Sequence, residues 1–227
     1  MTSPDGDSAI TGGHRSRGPL DLRCPTPVPS LGTMPAKTSR KPKSSATVPA
    51  YTVPGMTTEQ GGRVAAALQQ RLNALNDLSL TLKHVHWNVV GPHFIAVHTM
   101  LDPQVDGVRV MVDDVAERIA TLGGSPSGTP GALVAARSWE DYSIGRDDAI
   151  AHLGALDLVY SGVIADHRTA IDKTEETDPV TQDLLISQAG ELEQYHWFVR
   201  AHLENADGSL RSEGAKTEKE AAEAATD

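Results

Sequence analysis

HWNVVGPHFIAVHTMLDPQVDGVRVMVDDVAE, residues 86–117, decides how this chain folds. On a helix of 3.6 residues per turn, His98, Asp102, Asp113 and Glu117 fall within about 100° of one another. Leu101, Val105, Val108, Val112, Val115, Ile119 and Leu122 form a second stripe roughly 120° away. One helix thus has an apolar face and a separate face of ligand-type side chains. Asp102 and Asp113 stand about 16 Å apart at 1.5 Å per residue, whereas groups that share an ion each sit roughly 2 Å from it. One helix cannot bring both to one ion. A two-fold axis that lays the helix antiparallel against its copy does so, with His98 and Asp102 facing Asp113 and Glu117 of the partner subunit.

Upstream, Thr57 or Thr58 can cap a first helix, with Glu59 in its first turn. Val64, Leu68, Leu72, Leu75, Leu78, Leu82 and Val85 carry that helix to Val90, where Gly91-Pro92 stops it, so that it delivers His86 and Trp87. The second helix is expected from about His93 to Leu122, with Pro103 loosening or kinking it beside His98 and Asp102. Residues 123–145 are too long for a simple turn and read as a crossover with a short helix near Ala132–Ala136, which lets helices two and three run parallel. The third helix is expected over about Arg146–Thr174. The fourth runs from Asp178-Pro179, where Asp caps and Pro suits the first turn, to about Glu204. The class is all-α, a ferritin-like four-helix bundle with a long crossover carrying a short extra helix between helices two and three; no strand is expected.

Residues 1–55, rich in Pro, Gly, Ser and Thr, are expected to be a disordered basic arm, residues 56–205 the bundle, and residues 206–227 a disordered acidic tail. The arm holds seven Lys/Arg against three Asp/Glu, residues 51–205 ten against twenty-one, and the tail three against six. An acidic body attracts cations and repels nucleic acid, which leaves the arm, through Lys37, Arg40, Lys41 and Lys43, as the DNA-binding candidate; a solubilising tail is the plainer reading. Translation can start at Met1 or at Met34. A single cysteine, Cys24, excludes a disulfide framework and makes a reducing cytoplasm the default. No apolar signal core or run of eighteen apolar residues is present.

His86, His98 and Asp102 supply two imidazoles and a carboxylate, a set that suits ferrous iron with open positions, while zinc is a substitute. A lone helical histidine is ordinarily structural. Four ligand-type side chains on one face, apart from the core stripe, are a rarer combination that points to metal. His84 lies about 200° from His86 and reads as surface or interface. Glu193-Gln194-Tyr195-His196 matches one half of a Glu-x-x-His di-iron pattern by chance, because that pattern needs two copies in one bundle. Trp87 is by default a core residue, but beside iron that meets peroxide its indole is oxidisable.

The segments His86–Pro92, Phe94–His98, Asp102, and Asp113 through Val115-Ala116-Glu117-Arg118 to Leu122-Gly123 resemble the Dps family of miniferritins (DNA-binding proteins from starved cells), in their actinobacterial type. The resemblance covers about residues 57–205. It implies that His86, His98, Asp102, Asp113 and Glu117 are ferroxidase ligands holding at most two irons per intersubunit site. It also implies a homo-dodecamer of two-fold dimers that oxidises Fe(II), preferentially with hydrogen peroxide, stores the ferric mineral and protects DNA, in the cytoplasm or on the nucleoid. Asp178 and Asp183 resemble family residues lining acidic iron-entry pores. The alternative is a structural DNA-compacting protein of the same fold whose metal site is vestigial or zinc-occupied.

Overall fold

The computed structural model describes residues 48–227; the arm residues Lys37, Arg40, Lys41 and Lys43, and Cys24, lie outside that range. Thr57 caps the first helix, α1 (Thr58–Asn88): its hydroxyl accepts from the Gln60 amide while the Gln60 side chain accepts from the Thr57 amide. The second helix, α2 (Phe94–Thr121), continues unbroken through Pro103. A short α3 (Pro130–Ala136) lies in the crossover, followed by α4 (Ala149–Thr174) and α5 (Pro179–Arg200).

Leu68, Leu72, Leu75, Leu78, Leu82 and Val85 of α1 are buried, and they meet Val97, Leu101, Val105, Val108, Val115 and Ile119 of α2. Leu153, Leu156, Tyr160 and Ile164 of α4, with Leu185, Leu192 and Val199 of α5, complete the same core. Each fully buried leucine contributes about 1.5–3 kcal/mol relative to exposure, so this stripe packing is the main drive for assembly of the bundle. Among the described helices α4 alone has the length and apolar composition of a membrane span. Its place at the centre of the bundle accounts for both.

Two short strands, which the sequence pattern did not announce, connect the helix pairs. β1 (Val89–Val90) leaves α1 and runs parallel to β2 (Asp147–Asp148), which leads into α4; Val89 pairs with Asp147 and Val90 with Asp148. Because β2 lies beside β1, α4 begins at the end of the bundle where α1 finishes. The crossover therefore travels the length of the bundle, and α2 and α4 run in the same direction. Gly91, at φ +92°, leaves the strand against Asp148, whose carboxylate occupies the space that a Cβ would need.

Both terminal expectations need correction. The arm was expected to stay disordered to residue 55, yet Pro49 is buried and Val53 packs against the core. Gly123, at φ +81°, lets the Tyr51 carbonyl approach so closely that a Cβ there would stand 2.0 Å from it. The C-terminal residues were expected to be a disordered acidic tail, yet they hold a helix, α6 (Glu218–Thr226), with Ala221, Ala222 and Ala225 buried against α4. Alanines at this spacing make a narrow apolar face that a charged composition conceals, and Gly154 of α4 gives it room to dock.

The bundle also buries polar groups. His167 is fully buried and shares a hydrogen bond with the Gln188 side-chain oxygen at 3.2 Å. Burial, aided by the nearby Arg71 charge, pushes its pKa from the ordinary 6.5 down to about 4. The unfolded chain takes up this proton at higher pH than the folded one, so stability falls as pH drops from 6.5 to 4, by roughly 3 kcal/mol for this group. His167→Gln, which keeps a hydrogen-bonding side chain but does not titrate, is expected to flatten that part of the stability profile, measured by denaturant unfolding at pH 7 and pH 4.5; an unchanged profile overturns the assignment.

Candidate metal centre

The last turn of α1 delivers His86, and the turn from Val89 to His93 folds α2 back so that His98 stands against it. The two imidazoles stack with ring centres 3.6 Å apart and planes 22° from parallel. Each Nδ1 lies 2.9 Å from the backbone carbonyl of the other histidine. A carbonyl only accepts, so in the neutral rings the proton sits on Nδ1 and Nε2 keeps its lone pair. Phe94, one turn before His98, closes the stack at 4.9 Å. Both rings are thus oriented through Nδ1 alone, which leaves Nε2 able to coordinate a metal ion.

Asp102, one turn beyond His98, completes the group. Its Oδ1 lies 3.3 Å from His86 Nδ1 and accepts from Lys83 Nζ at 2.6 Å. The Lys83 hydrogen bond holds the carboxyl below the usual carboxylate range, so Asp102 is charged at neutral pH. Lys83 was not singled out in the sequence, although its position three residues before His86 was the available signal.

Asp113 and Glu117 are exposed further along the same helix, and about 16 Å of unbroken α2 separates Asp113 from Asp102. Among the described residues no three His, Cys, Asp or Glu side chains converge tightly enough to hold an ion within one chain. The candidate residues therefore fall into two separate groups, two imidazoles and a carboxylate at one end of α2 and a carboxylate pair further along it.

A ferritin-like domain model matches residues 65–209. The DNA protection during starvation protein of Mycolicibacterium smegmatis is 61% identical over 175 residues, which span 77% of this chain and 96% of that protein. Among solved structures, DpsA14 from Streptomyces coelicolor is 67% identical, with a TM-score of 0.71, over 72% of this chain and 97% of that one. Mycobacterium smegmatis Dps is 61% identical with a TM-score of 0.73, over 74% and 95% of the two chains. The chain belongs to the Dps miniferritins of the ferritin-like family.

Elsewhere in this miniferritin the candidates separate. Trp87, beside His86, is 73% exposed rather than a core residue. His84 is half-buried, with Nε2 2.9 Å from the Ile144 carbonyl. The Glu-x-x-His match dissolves: Glu193 pairs with Arg168, whereas His196 Nε2 lies 2.6 Å from the buried Asp157. Asp157 also accepts from Arg200 at 2.8 Å and from Ser212 at 2.9 Å. Burial opposes its charge, but these hydrogen bonds outweigh that and hold its pKa at about 2.

Asp183 is exposed, as a pore-lining residue would be in a separate subunit. Asp178 is not. It begins α5 without accepting a capping hydrogen bond through its side chain, and its buried carboxylate pairs with Arg118 Nη2 at 2.7 Å and accepts from the Thr181 hydroxyl. The reason is local: Arg118, in the last turn of α2, reaches a partner that burial would otherwise leave uncompensated. Desolvation works against the Asp178 charge, but the hydrogen bonds from Thr181 and Arg118 prevail and keep the carboxyl below the usual range. Arg118→Ala is expected to destabilise the fold by roughly 3 kcal/mol at pH 7 by stranding this charge. The depressed pKa contributes stability above the ordinary carboxylate range that is lost as pH falls through the folded value. The deficit of the variant in denaturant unfolding should therefore hold from pH 7 down to the ordinary carboxylate pKa of 3.8 and narrow as pH falls below it, and a deficit that stays constant through that range overturns the charge argument.

Proposed function

We propose that this Dps miniferritin oxidises Fe(II) at sites shared between two-fold-related subunits, preferentially with hydrogen peroxide, and stores the ferric product inside a homo-dodecameric shell. The observation that carries the proposal is the locked His86–His98 pair, whose Nδ1 atoms face backbone carbonyls and leave both Nε2 lone pairs for an ion, with the Asp102 carboxylate 3.3 Å from His86 Nδ1. Asp113 and Glu117 share the ligand face of α2 with His98 and Asp102, and pairing two copies of that helix antiparallel supplies them from the partner subunit. Up to two irons fit such a site: His86, His98 and Asp102 offer the nitrogen-rich half, Asp113 and Glu117 of the partner subunit the carboxylate half.

The chemistry follows from the ligand set. Two Fe(II) ions give up one electron each, which together reduce one hydrogen peroxide to the level of water without releasing a hydroxyl radical. The carboxylates offset the charge gained by the metal, and hydrolysis of the ferric product releases protons as mineral forms. Asp183 contributes negative charge along the entry route for cations; Asp178, tied to Arg118, is the weaker pore candidate. Trp87, exposed beside His86, is the oxidisable residue placed to intercept a stray one-electron equivalent. Consuming ferrous iron and peroxide together protects DNA in the cytoplasm or on the nucleoid.

DNA contact is assigned to the N-terminal arm through Lys37, Arg40, Lys41 and Lys43. Four cations per chain, repeated over the assembly, bind phosphates without sequence preference and lose affinity steeply with salt.

Two experiments test this reading. In His98→Ala/Asp102→Ala protein, Fe(II) oxidation after a peroxide pulse is expected to fall to the rate in buffer, with the assembled size unchanged. Undiminished oxidation overturns the ferroxidase assignment and leaves the DNA-compacting alternative, with zinc as the ion to seek on His86 and His98. Protein lacking residues 1–47 is expected to lose its DNA gel shift at low salt, and an unchanged shift removes the arm from the mechanism.

A further inference from the structure

The C-terminal helix α6 docks where the crossover turns into α4, and its contacts lead back to the metal-binding end of α1. Glu218 accepts from both the backbone amide and the hydroxyl of Ser143, at 2.6 and 2.7 Å. Ala222 packs with Ile144, Ala151 and Ala155 in a small apolar cluster of its own, apart from the main core. The next link is the Ile144 carbonyl, which lies 2.9 Å from His84 Nε2, two residues before His86. A second connection runs through β2, whose residues pair with Val89 and Val90 immediately after Asn88. The last turn of α1 is therefore held on both sides of His86 by a crossover segment that α6 itself holds down.

Three further features show that α6 is seated rather than merely adjacent. Its capping box, between Thr217 and Glu220, satisfies both backbone donors at its start. Gly154 admits it so closely that a Cβ there would lie 2.4 Å from the Ala221 carbonyl. Upstream, the Ser212 hydroxyl donates to Asp157, a buried carboxylate that is also held by α5.

The geometry points to α6 as a positioning element for the metal site: through Glu218 and the Ser143–Ile144 segment it fixes the orientation of the α1 end that carries His86. The inference rests on His86 being a metal ligand. Neither Glu218 nor α6 touches the metal. They act through the second layer of contacts, where loss of an orienting partner commonly costs about 10- to 100-fold in metal affinity.

The test is an anaerobic Co(II) titration of the full-length assembled protein, which reads affinity and the visible d–d band of the bound ion. Glu218→Ala removes the clasp on Ser143. Gly154→Val drives a side chain into the Ala221 carbonyl and dislodges α6 without shortening the chain. Both are expected to weaken Co(II) binding about tenfold and to shift the band, whereas Glu218→Gln, which keeps an oxygen acceptor for Ser143, retains affinity within about twofold. Wild-type affinity and an unshifted band in Glu218→Ala, with limited proteolysis showing α6 released, overturn the inference even where Gly154→Val fails to assemble. Failure of the underlying assignment is read separately: a His86→Ala titration that matches the wild type shows that His86 is not a ligand.

Discussion

The exchange of hydrogen bonds between His86 and His98 is the interaction on which the proposed chemistry depends. Each imidazole uses Nδ1 to bind the backbone of the other helix, so one pair of contacts closes the α1–α2 hairpin and sets both rings in the same tautomer. Without that exchange the rings would turn freely about two dihedral angles each, and an ion would have to order them at the moment of binding. Gly91 makes it possible by allowing the chain to reverse tightly at φ +92°. Lys83 and Phe94 hold Asp102 and the outer ring face in place.

The remaining buried polar groups show how the bundle tolerates charge in its interior. Asp157 gathers His196, Arg200 and Ser212, and Asp178 gathers Arg118 and Thr181, so each buried carboxylate has charged and neutral partners from more than one segment. Such clusters contribute little net stability compared with apolar packing, but they penalise any arrangement that leaves one member alone. They therefore select among helix registers that the leucine stripes by themselves would permit. His167 follows a different rule, remaining neutral because no carboxylate meets it in the core.

Much of this was legible in the sequence because it follows from periodicity. The apolar stripes of α1 and α2 repeat at helical spacing, the Thr57 cap and the crossover helix have local signals of their own, and the helices appear within a few residues of their expected limits. Pairings between distant segments left no such trace. Nothing near Asp178 announces Arg118, sixty residues away, and two-residue strands are too short to alternate visibly. The α6 helix escaped notice for another reason: its buried face is made only of alanine, whose small apolar contribution is swamped by five acidic side chains between Glu213 and Asp227. At the site, the turn after α1 brings His98 against His86 and Asp102 within 3.3 Å of the His86 ring, while the hydrogen bond from Lys83 and the pairing of Asp178 with Arg118 required the third dimension.

The distance along α2 between its two ligand groups has a consequence for inheritance. On the proposed arrangement every site draws His98 from one chain and Asp113 from its partner. A dimer of one chain damaged at His98 and another damaged at Asp113 therefore concentrates both lesions in one site and leaves the other whole. Two inactive alleles of that kind complement each other when expressed together, while two alleles damaged within the same half do not. Division of the site between subunits thus shelters a mixed population from lesions that would abolish function in either pure form.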